Sequence, residues 1–130
     1  MSLNDPLANV LSMIKTYDSL GKRELYTKSN SGFIRKVLGL LQDNKYIGAI
    51  EEIEDGKGNI LKVNLIGAVN DIGVIKPRFS LKRANYDKFE KRYLPAKNFG
   101  VIIVSTNKGI LTHNQAKQQN LGGKLICYCY

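Results

Sequence analysis

The residues best suited to chemistry lie in one polar segment near the C-terminal end, Ser105-Thr106-Asn107-Lys108-Gly109. Three short side chains that can each donate and accept hydrogen bonds are followed there by a lysine. Such a set can contact sugar 2′-hydroxyls and base edges in the shallow minor groove of RNA. The same residue types also form ordinary polar turns between a strand and a helix. The segment by itself does not decide between these two interpretations.

The distribution of charge favours a polyanionic partner. The net charge is +9. Residues 1–75 carry nine Lys/Arg and nine Asp/Glu, whereas residues 76–130 carry eleven Lys/Arg against only two carboxylates, Asp87 and Glu90. One-sided cationic charge is typical of nucleic-acid binding, although a solubilising basic surface has the same sign. Together with the polar segment, the charge makes a structured-RNA binder the leading hypothesis.

Other nucleic-acid ligands fit the sequence less well. No recognition-helix pair and no zinc finger is apparent, which disfavours duplex DNA. Tyr128 and Tyr130 could stack single-stranded bases. Their position in a predicted strand fits a core or a lobe interface equally well.

Catalytic and metal-binding interpretations are weaker. The one histidine, His113, has no carboxylate near it in sequence, and Ser105 lies in no strand-to-helix nucleophile elbow. A hydrolase built on these two residues would need an unforeseen tertiary contact. Cys127 and Cys129 have Cys-x-Cys spacing and fit small core residues of a reduced protein better than a zinc site. We expect no enzymatic activity, no metal and no cofactor.

The elements that must position the polar segment flank it on both sides. The apolar residues 99–104 predict a buried strand before it. Thr112 followed by Gln115 fits a capping box at the start of a short helix. After Gly122-Gly123, the residues that end the chain predict a last strand.

The rest of the chain predicts an α+β fold in two small lobes. Predicted helices cover residues 5–19, a segment that follows a cap at residues 29–31, and residues 85–93. Predicted strands cover residues 22–27, 46–54, 60–66 and 78–82. We therefore expect an N-terminal α-β-α-β-β lobe over residues 1–68, a connector over 69–77, and a β-rich C-terminal lobe with two short helices over 78–130.

Several of these motifs together resemble the ribosomal protein S8 family of the small subunit. The specific part of the match is Val104-Ser105-Thr106-Asn107-Lys108-Gly109, then Thr112-His113 with Ala116, then Gly122-Gly123-Lys124-Leu125. Asp5-Pro6-Leu7-Ala8 resembles the family's first helix start, and Lys91-Arg92-Tyr93-Leu94-Pro95-Ala96-Lys97 resembles its archaeal branch. The resemblance covers essentially the whole chain, in order.

The resemblance implies a two-lobe α+β protein that binds small-subunit ribosomal RNA directly and helps its central domain to fold during assembly. In the family, a Ser-Thr loop inserts into the minor groove of an irregular RNA helix. That role falls here on Ser105, Thr106 and Asn107, with Lys108 and Gly109 beside them. Asn107 stands where the family usually has serine; it is longer but keeps both a donor and an acceptor.

Further contacts are implied in both lobes. The family's contacts from Gly122, Gly123 and Lys124 carry over without a mismatch. The N-terminal lobe is expected to touch RNA less specifically, through Asp5, Pro6, Ser12, Lys15, Lys28, Asn30, Ser31 and Arg35. Because the first lobe is electrically neutral, we expect most of the affinity to reside in residues 76–130.

The implied partners are small-subunit ribosomal RNA and neighbouring small-subunit proteins. Some members of the family also bind their own messenger RNA as feedback repressors, and the sequence leaves that role open. We expect a cytoplasmic, ribosomal protein that is monomeric outside the ribosome, without a secretion signal or an apolar run near the roughly 20 residues of a membrane span. A protein-interaction or assembly factor that shares the fold is the alternative function.

Overall fold

The computed structural model describes residues 6–28, 31–54, 56, 59–76, 80–82, 85–96 and 99–130 of the 130-residue chain. The predicted α+β class is confirmed. The helices and strands follow in this order: α1 Pro6–Ser19, β1 Glu24–Thr27, α2 Gly32–Asp43, β2 Ile47–Glu54, β3 Asn59–Leu65, β4 Ile72–Val74, β5 Ser80–Leu81, α3 Tyr86–Tyr93, β6 Val101–Thr106, β7 Gly109–Thr112, α4 His113–Gln118 and β8 Gly123–Cys129. Within the described residues, no helix is long and apolar enough to cross a bilayer.

The first compact unit, Met1–Ile72, combines α1 and α2 with an antiparallel sheet in the order β1-β3-β2. The predicted hairpin between β2 and β3 is confirmed, with Glu54 paired to Asn59. Alternate residues of β3 are buried, as its sequence pattern predicts, because one face of the strand lies on the core. The core of this unit contains Leu7, Val10, Leu11, Ile14, Leu25, Ile34, Val37, Leu38, Leu41, Ile47, Leu61, Val63 and Leu65.

The second unit, Gly73–Tyr130, holds α3, α4 and most of a five-stranded sheet in the order β4-β8-β6-β7, in which β5 also pairs with β8. Consecutive residues of its central strands are buried, at 101–104 in β6 and 125–127 in β8, so both faces of these segments are covered. Cys127 and Cys129 of β8 are buried, which confirms their interpretation as core residues. The main core cluster contains Ile75, Tyr86, Phe89, Leu94, Ile102, Val104, Ala116 and Leu125.

The predicted strand at residues 99–104 is shifted by two residues, and its start was wrong. Gly100 has a φ of +95°, a left-handed conformation that favours glycine, and the strand begins only at Val101. Phe99 consequently lies outside β6 and is 50% exposed. At the other end, β6 includes Ser105 and Thr106, which were expected in a loop. They are in the strand because they pair with Ile110 and Gly109 of β7.

Two short strands were not predicted. β7 begins at Gly109, the last residue of the predicted polar loop, and β4 lies inside residues 69–77, which were expected to form a connector. Next to β4, the Ile75 N–H donates to the Ile126 carbonyl at 2.9 Å. Neither strand is long enough to show an alternating pattern. Each is defined by the partner strand with which it pairs.

The predicted capping box at the start of α4 is confirmed. The Gln115 N–H donates to Thr112 Oγ1 at 3.3 Å, and the Thr112 N–H donates to Gln115 Oε1 at 3.1 Å. These reciprocal bonds satisfy two backbone donors that a helix start leaves open. They also fix where β7 ends and α4 begins.

Candidate nucleic-acid interface

The polar segment forms a tight β-hairpin. Asn107 and Lys108 are the two turn residues between β6 and β7, and both are exposed. Thr106 Oγ1 donates to the Gly109 carbonyl at 2.8 Å and accepts from the Lys108 N–H at 3.2 Å. Gly109 takes a φ of +111°, which closes the turn without a steric penalty. The Thr106 hydroxyl therefore stabilises the turn on which Asn107 and Lys108 are exposed.

The pairing of β6 with β8 brings the two predicted contact segments together. Ser105 is in register with Lys124, so their side chains lie on the same face of the sheet. A Cβ on Gly123 would collide with the Ser105 carbonyl oxygen and lie 3.3 Å from Thr106 Cγ2. Glycine is therefore required at position 123 by close approach between the strands.

These segments line one open cavity of about 430 Å³, which we call the hairpin cavity. Its lining contains six of the predicted contact residues, together with Ser80: Ser105, Thr106, Asn107, Gly122, Gly123 and Lys124. Lys108 of the adjoining turn and Gly109, the first residue of β7, are not part of the lining. Ser80 was not predicted as a site residue, because a single serine in a short basic segment carries no signal until β5 is paired with β8.

The second unit carries a large excess of positive charge. Its two side-chain carboxylates, Asp87 and Glu90, both lie on α3 and both pair with Lys117 of α4. The Asp87–Lys117 distance is 3.7 Å. Lys108 and Lys124 are exposed and add positive charge beside the hairpin.

His113 has a structural role at the centre of the unit. It is 1% exposed, and its Nδ1 accepts from the Ile102 N–H at 3.0 Å. Its Nε2 lies 3.2 Å from Glu90 Oε1. Burial is the main cause that lowers the pKa of His113, with Lys117 adding to it, while Glu90 and the Ile102 bond oppose it. Because both ring nitrogens are engaged, His113 is not available as a base for Ser105.

The remaining candidate groups are also engaged within the unit. Tyr128 stacks on Tyr93 at 5.6 Å and on Tyr130 at 6.2 Å between ring centroids, so its ring already packs against other aromatic rings. Within the described ranges, no three His, Cys, Asp or Glu side chains lie close enough together to hold a metal ion.

The predicted contacts of the first unit lie on exposed positions of several elements. Pro6, Ser12 and Lys15 belong to α1, and Lys28 directly follows β1. Ser31 is the N-cap of α2, and its Oγ accepts from the Ile34 N–H at 3.2 Å. Asp5 and Asn30 lie outside the described residues.

Carboxylates partly neutralise this surface. Lys15 pairs with Asp71 at 2.9 Å, and Arg35 of α2 pairs with Glu52 of β2 at 3.0 Å. Both pairs agree with the neutral balance of the first 75 residues. Phosphate binding by these cations would have to compete with their carboxylate partners.

Comparison with known families fits this geometry. The sequence model of the family described as Ribosomal protein S8 matches residues 5–130. The chain belongs to the ribosomal protein S8 family. The resemblance found in the sequence is thereby confirmed. Family membership makes this chain a small-subunit ribosomal protein that binds ribosomal RNA and functions in translation. The S8 family is a structural RNA-binding family and not an enzyme family.

Proposed function

We propose that the hairpin cavity is the surface through which this S8 protein contacts a helix in the central domain of small-subunit ribosomal RNA. The observation that supports this proposal is the register of Ser105 with Lys124. It brings two polar segments, which are separated by α4 in the chain, into one cavity of the cationic unit. The binding would help the central domain to fold during assembly of the subunit.

The chemistry of the lining suits an RNA minor groove. Ser105 and Asn107 are exposed and can each donate to and accept from a 2′-hydroxyl or a base edge. Gly122 and Gly123 have no side chains, which lets an RNA backbone come close to the protein backbone. The ammonium group of Lys124 can contact a phosphate, which positions the protein without reading sequence.

The two units would contribute differently to binding. The second unit carries the whole net charge of +9 and the hairpin cavity, so we assign to it most of the affinity. The first unit would add less specific contacts through the exposed residues of α1, α2 and the end of β1. We propose that the protein binds RNA as a monomer.

The same surface would mediate the remaining proposed partnerships. A messenger RNA that presents a similar irregular helix would compete for the hairpin cavity, which is how feedback repression would operate. Neighbouring ribosomal proteins would contact other faces of the protein. We propose the cytoplasmic ribosome as the site of action.

A binding titration tests the proposal. The protein is titrated with a central-domain fragment of small-subunit ribosomal RNA and with an unrelated hairpin, at two salt concentrations. We expect Ser105→Ala to lose about 1 kcal/mol of binding free energy, the usual value of one hydrogen bond. We expect Lys124→Gln to lower the slope of log affinity against log salt by about 0.7–0.9.

Matched controls separate contact from folding and from total charge. Lys22→Gln removes one exposed positive charge from the first unit, outside the proposed contact set, and should leave the affinity nearly unchanged. Circular dichroism should be the same for all three variants. Wild-type binding to the ribosomal fragment that is no tighter than binding to the unrelated hairpin would reject the proposal and favour a protein-interaction role.

A further inference from the structure

Three exposed polar side chains form a row across three neighbouring strands. Ser80 of β5 is in register with Lys124 of β8, and Lys124 is in register with Ser105 of β6. Residues directly opposite each other in paired strands project from the same face of a sheet. Neighbouring strands are about 4.8 Å apart, so the two hydroxyl-bearing residues are separated by about 10 Å with the lysine between them.

The row lies in the hairpin cavity. Ser80, Lys124 and Ser105 all line it, and all three are exposed. Ser80 lies one strand beyond Lys124, on the side opposite to the β6–β7 hairpin. Gly123, the next residue along β8, pairs with Leu81 and lets β6 approach closely. The cavity is thus bordered by a hydroxyl at each side, with an ammonium group between them and glycine beside it.

We propose that Ser80 is a further RNA-contacting residue and that the row from Ser105 through Lys124 to Ser80 binds the sugar-phosphate backbone across the RNA groove. This inference rests on the proposed function of the hairpin cavity. The ammonium group of Lys124 contacts a phosphate. The Ser80 hydroxyl forms a hydrogen bond with a neighbouring 2′-hydroxyl or phosphate oxygen. A hydroxyl suits either oxygen because it can donate and accept.

The position of Ser80 makes the contact sensitive to charge. An aspartate at position 80 would project beside Lys124, pair with its ammonium group and repel phosphate. An alanine there would remove only the hydroxyl. Both substitutions are at an exposed position of an edge strand, where the effect on stability is small.

The test compares Ser80→Ala and Ser80→Asp with wild type in the same titration. We expect Ser80→Ala to weaken binding about 3–10-fold without a change in salt slope, because no charge is lost. We expect Ser80→Asp to weaken binding about 100-fold, since like charges across an interface are strongly unfavourable. RNA fragments that each carry one 2′-deoxy nucleotide identify the contacted oxygen: for a 2′-hydroxyl contact the Ser80→Ala loss disappears at one substituted position, and for a phosphate contact it persists at every position.

Two controls make the comparison specific. Asn114→Asp adds the same charge at an exposed position of α4 outside the hairpin cavity, and it should change affinity less than about 3-fold because exposed charges at a distance are screened by salt. Ser80→Asp combined with Lys124→Gln should lose less affinity than the product of the two single losses. The reason is that the aspartate neutralises Lys124 only while the lysine is present.

The outcomes separate this inference from the proposed function. If Ser105→Ala weakens binding while both Ser80 variants stay within about twofold of wild type, Ser80 makes no contact and only this inference is overturned. If wild type binds the ribosomal RNA fragment no more tightly than the unrelated hairpin, the proposed function and this inference fail together. Unchanged circular dichroism with the expected losses supports the row as the binding element.

Discussion

The backbone N–H of Ile102 donates a 3.0 Å hydrogen bond to Nδ1 of His113, which ties the central strand β6 to the first residue of α4. On the opposite side of the ring, Nε2 lies 3.2 Å from Glu90 Oε1 of α3. One neutral imidazole therefore connects three elements behind the hairpin. Because His113 is buried in the core, it contributes to the stability of the fold. It does not line the hairpin cavity.

The first prediction concerns the dependence of stability on pH. Burial lowers the pKa of His113 below the value of about 6.5 in an unfolded chain. The neutral histidine therefore stabilises the fold fully above pH ~6.5, and this contribution is lost as the pH falls through the lower pKa of the folded state. The free energy of unfolding should fall by at most about 1.4 kcal/mol per pH unit in that range.

Urea denaturation of wild type and His113→Gln at a series of pH values measures this effect. The glutamine amide can replace one donor and one acceptor, but its shape differs, so we expect a loss of about 1–3 kcal/mol at neutral pH. The variant should show a flatter dependence below pH ~6.5, because it has no imidazole to protonate. Parallel curves for the two proteins would contradict the prediction.

The second prediction uses the two charged neighbours of His113, which act on its pKa in opposite directions. Glu90 raises the pKa of His113 and Lys117 lowers it. Glu90→Gln should therefore shift the pKa further down, whereas Lys117→Gln should shift it up. His113 is the one histidine in the sequence, so an NMR titration of its imidazole protons reads the shift without ambiguity. Shifts in the same direction for both variants would disprove the arrangement.

The third prediction compares two glycines. Gly123→Ala places a Cβ against the Ser105 carbonyl oxygen, so β6 and β8 must separate beside the hairpin cavity. We expect a loss of about 1–3 kcal/mol in the free energy of unfolding, together with weaker RNA binding.

Gly39→Ala is the matched control. Gly39 lies inside α2, and an added Cβ there meets no atom within 4 Å. The same substitution should stabilise the protein by about 0.5–1 kcal/mol, because alanine loses less entropy in a helix. Thermal melting of both variants measures the contrast, and a stable Gly123→Ala variant would show that the strands tolerate a side chain there.

The fourth prediction concerns the proposed RNA contacts of the first unit. Arg35 pairs with Glu52, whose other carboxylate oxygen accepts from Asn59 Nδ2 at 2.7 Å. Glu52→Gln keeps an acceptor but removes the negative charge that competes with phosphate for Arg35. If Arg35 contacts RNA, affinity should rise about 2–5-fold, the value of an exposed ion pair. The gain should vanish in an Arg35→Gln background, and a gain that persists there would exclude Arg35 as its cause.

Local features of the chain were predictable from the sequence because they depend on neighbouring residues. The apolar face of α1 follows helical spacing, and the capping box of α4 depends on Thr112 and Gln115 alone. The alternation in β3 likewise reports which face is buried. These patterns together with the S8 motif were sufficient to predict the fold class and the family.

Tertiary pairing decided the rest. β4 and β7 are too short for a periodic signal, and Ser105 is a strand residue because it pairs with both β7 and β8. Phe99 lies outside the strand because Gly100 has a positive φ, and the apolar pattern does not reveal that backbone angle. The contact of His113 with Glu90 joins residues on two different helices, so no local pattern could indicate it.

The hairpin cavity likewise combines features that the sequence predicts with features that only the tertiary structure determines. The sequence alone determined that Ser105, Thr106, Asn107 and Gly122-Gly123-Lys124 are polar, small and cationic. The tertiary structure decided that they line one cavity and that Ser80 joins them, because the registers of β5, β8 and β6 place distant residues opposite one another. Strand register is set by packing of the buried faces and not by the exposed residues that it aligns, so those residues carry no signal of their final neighbours.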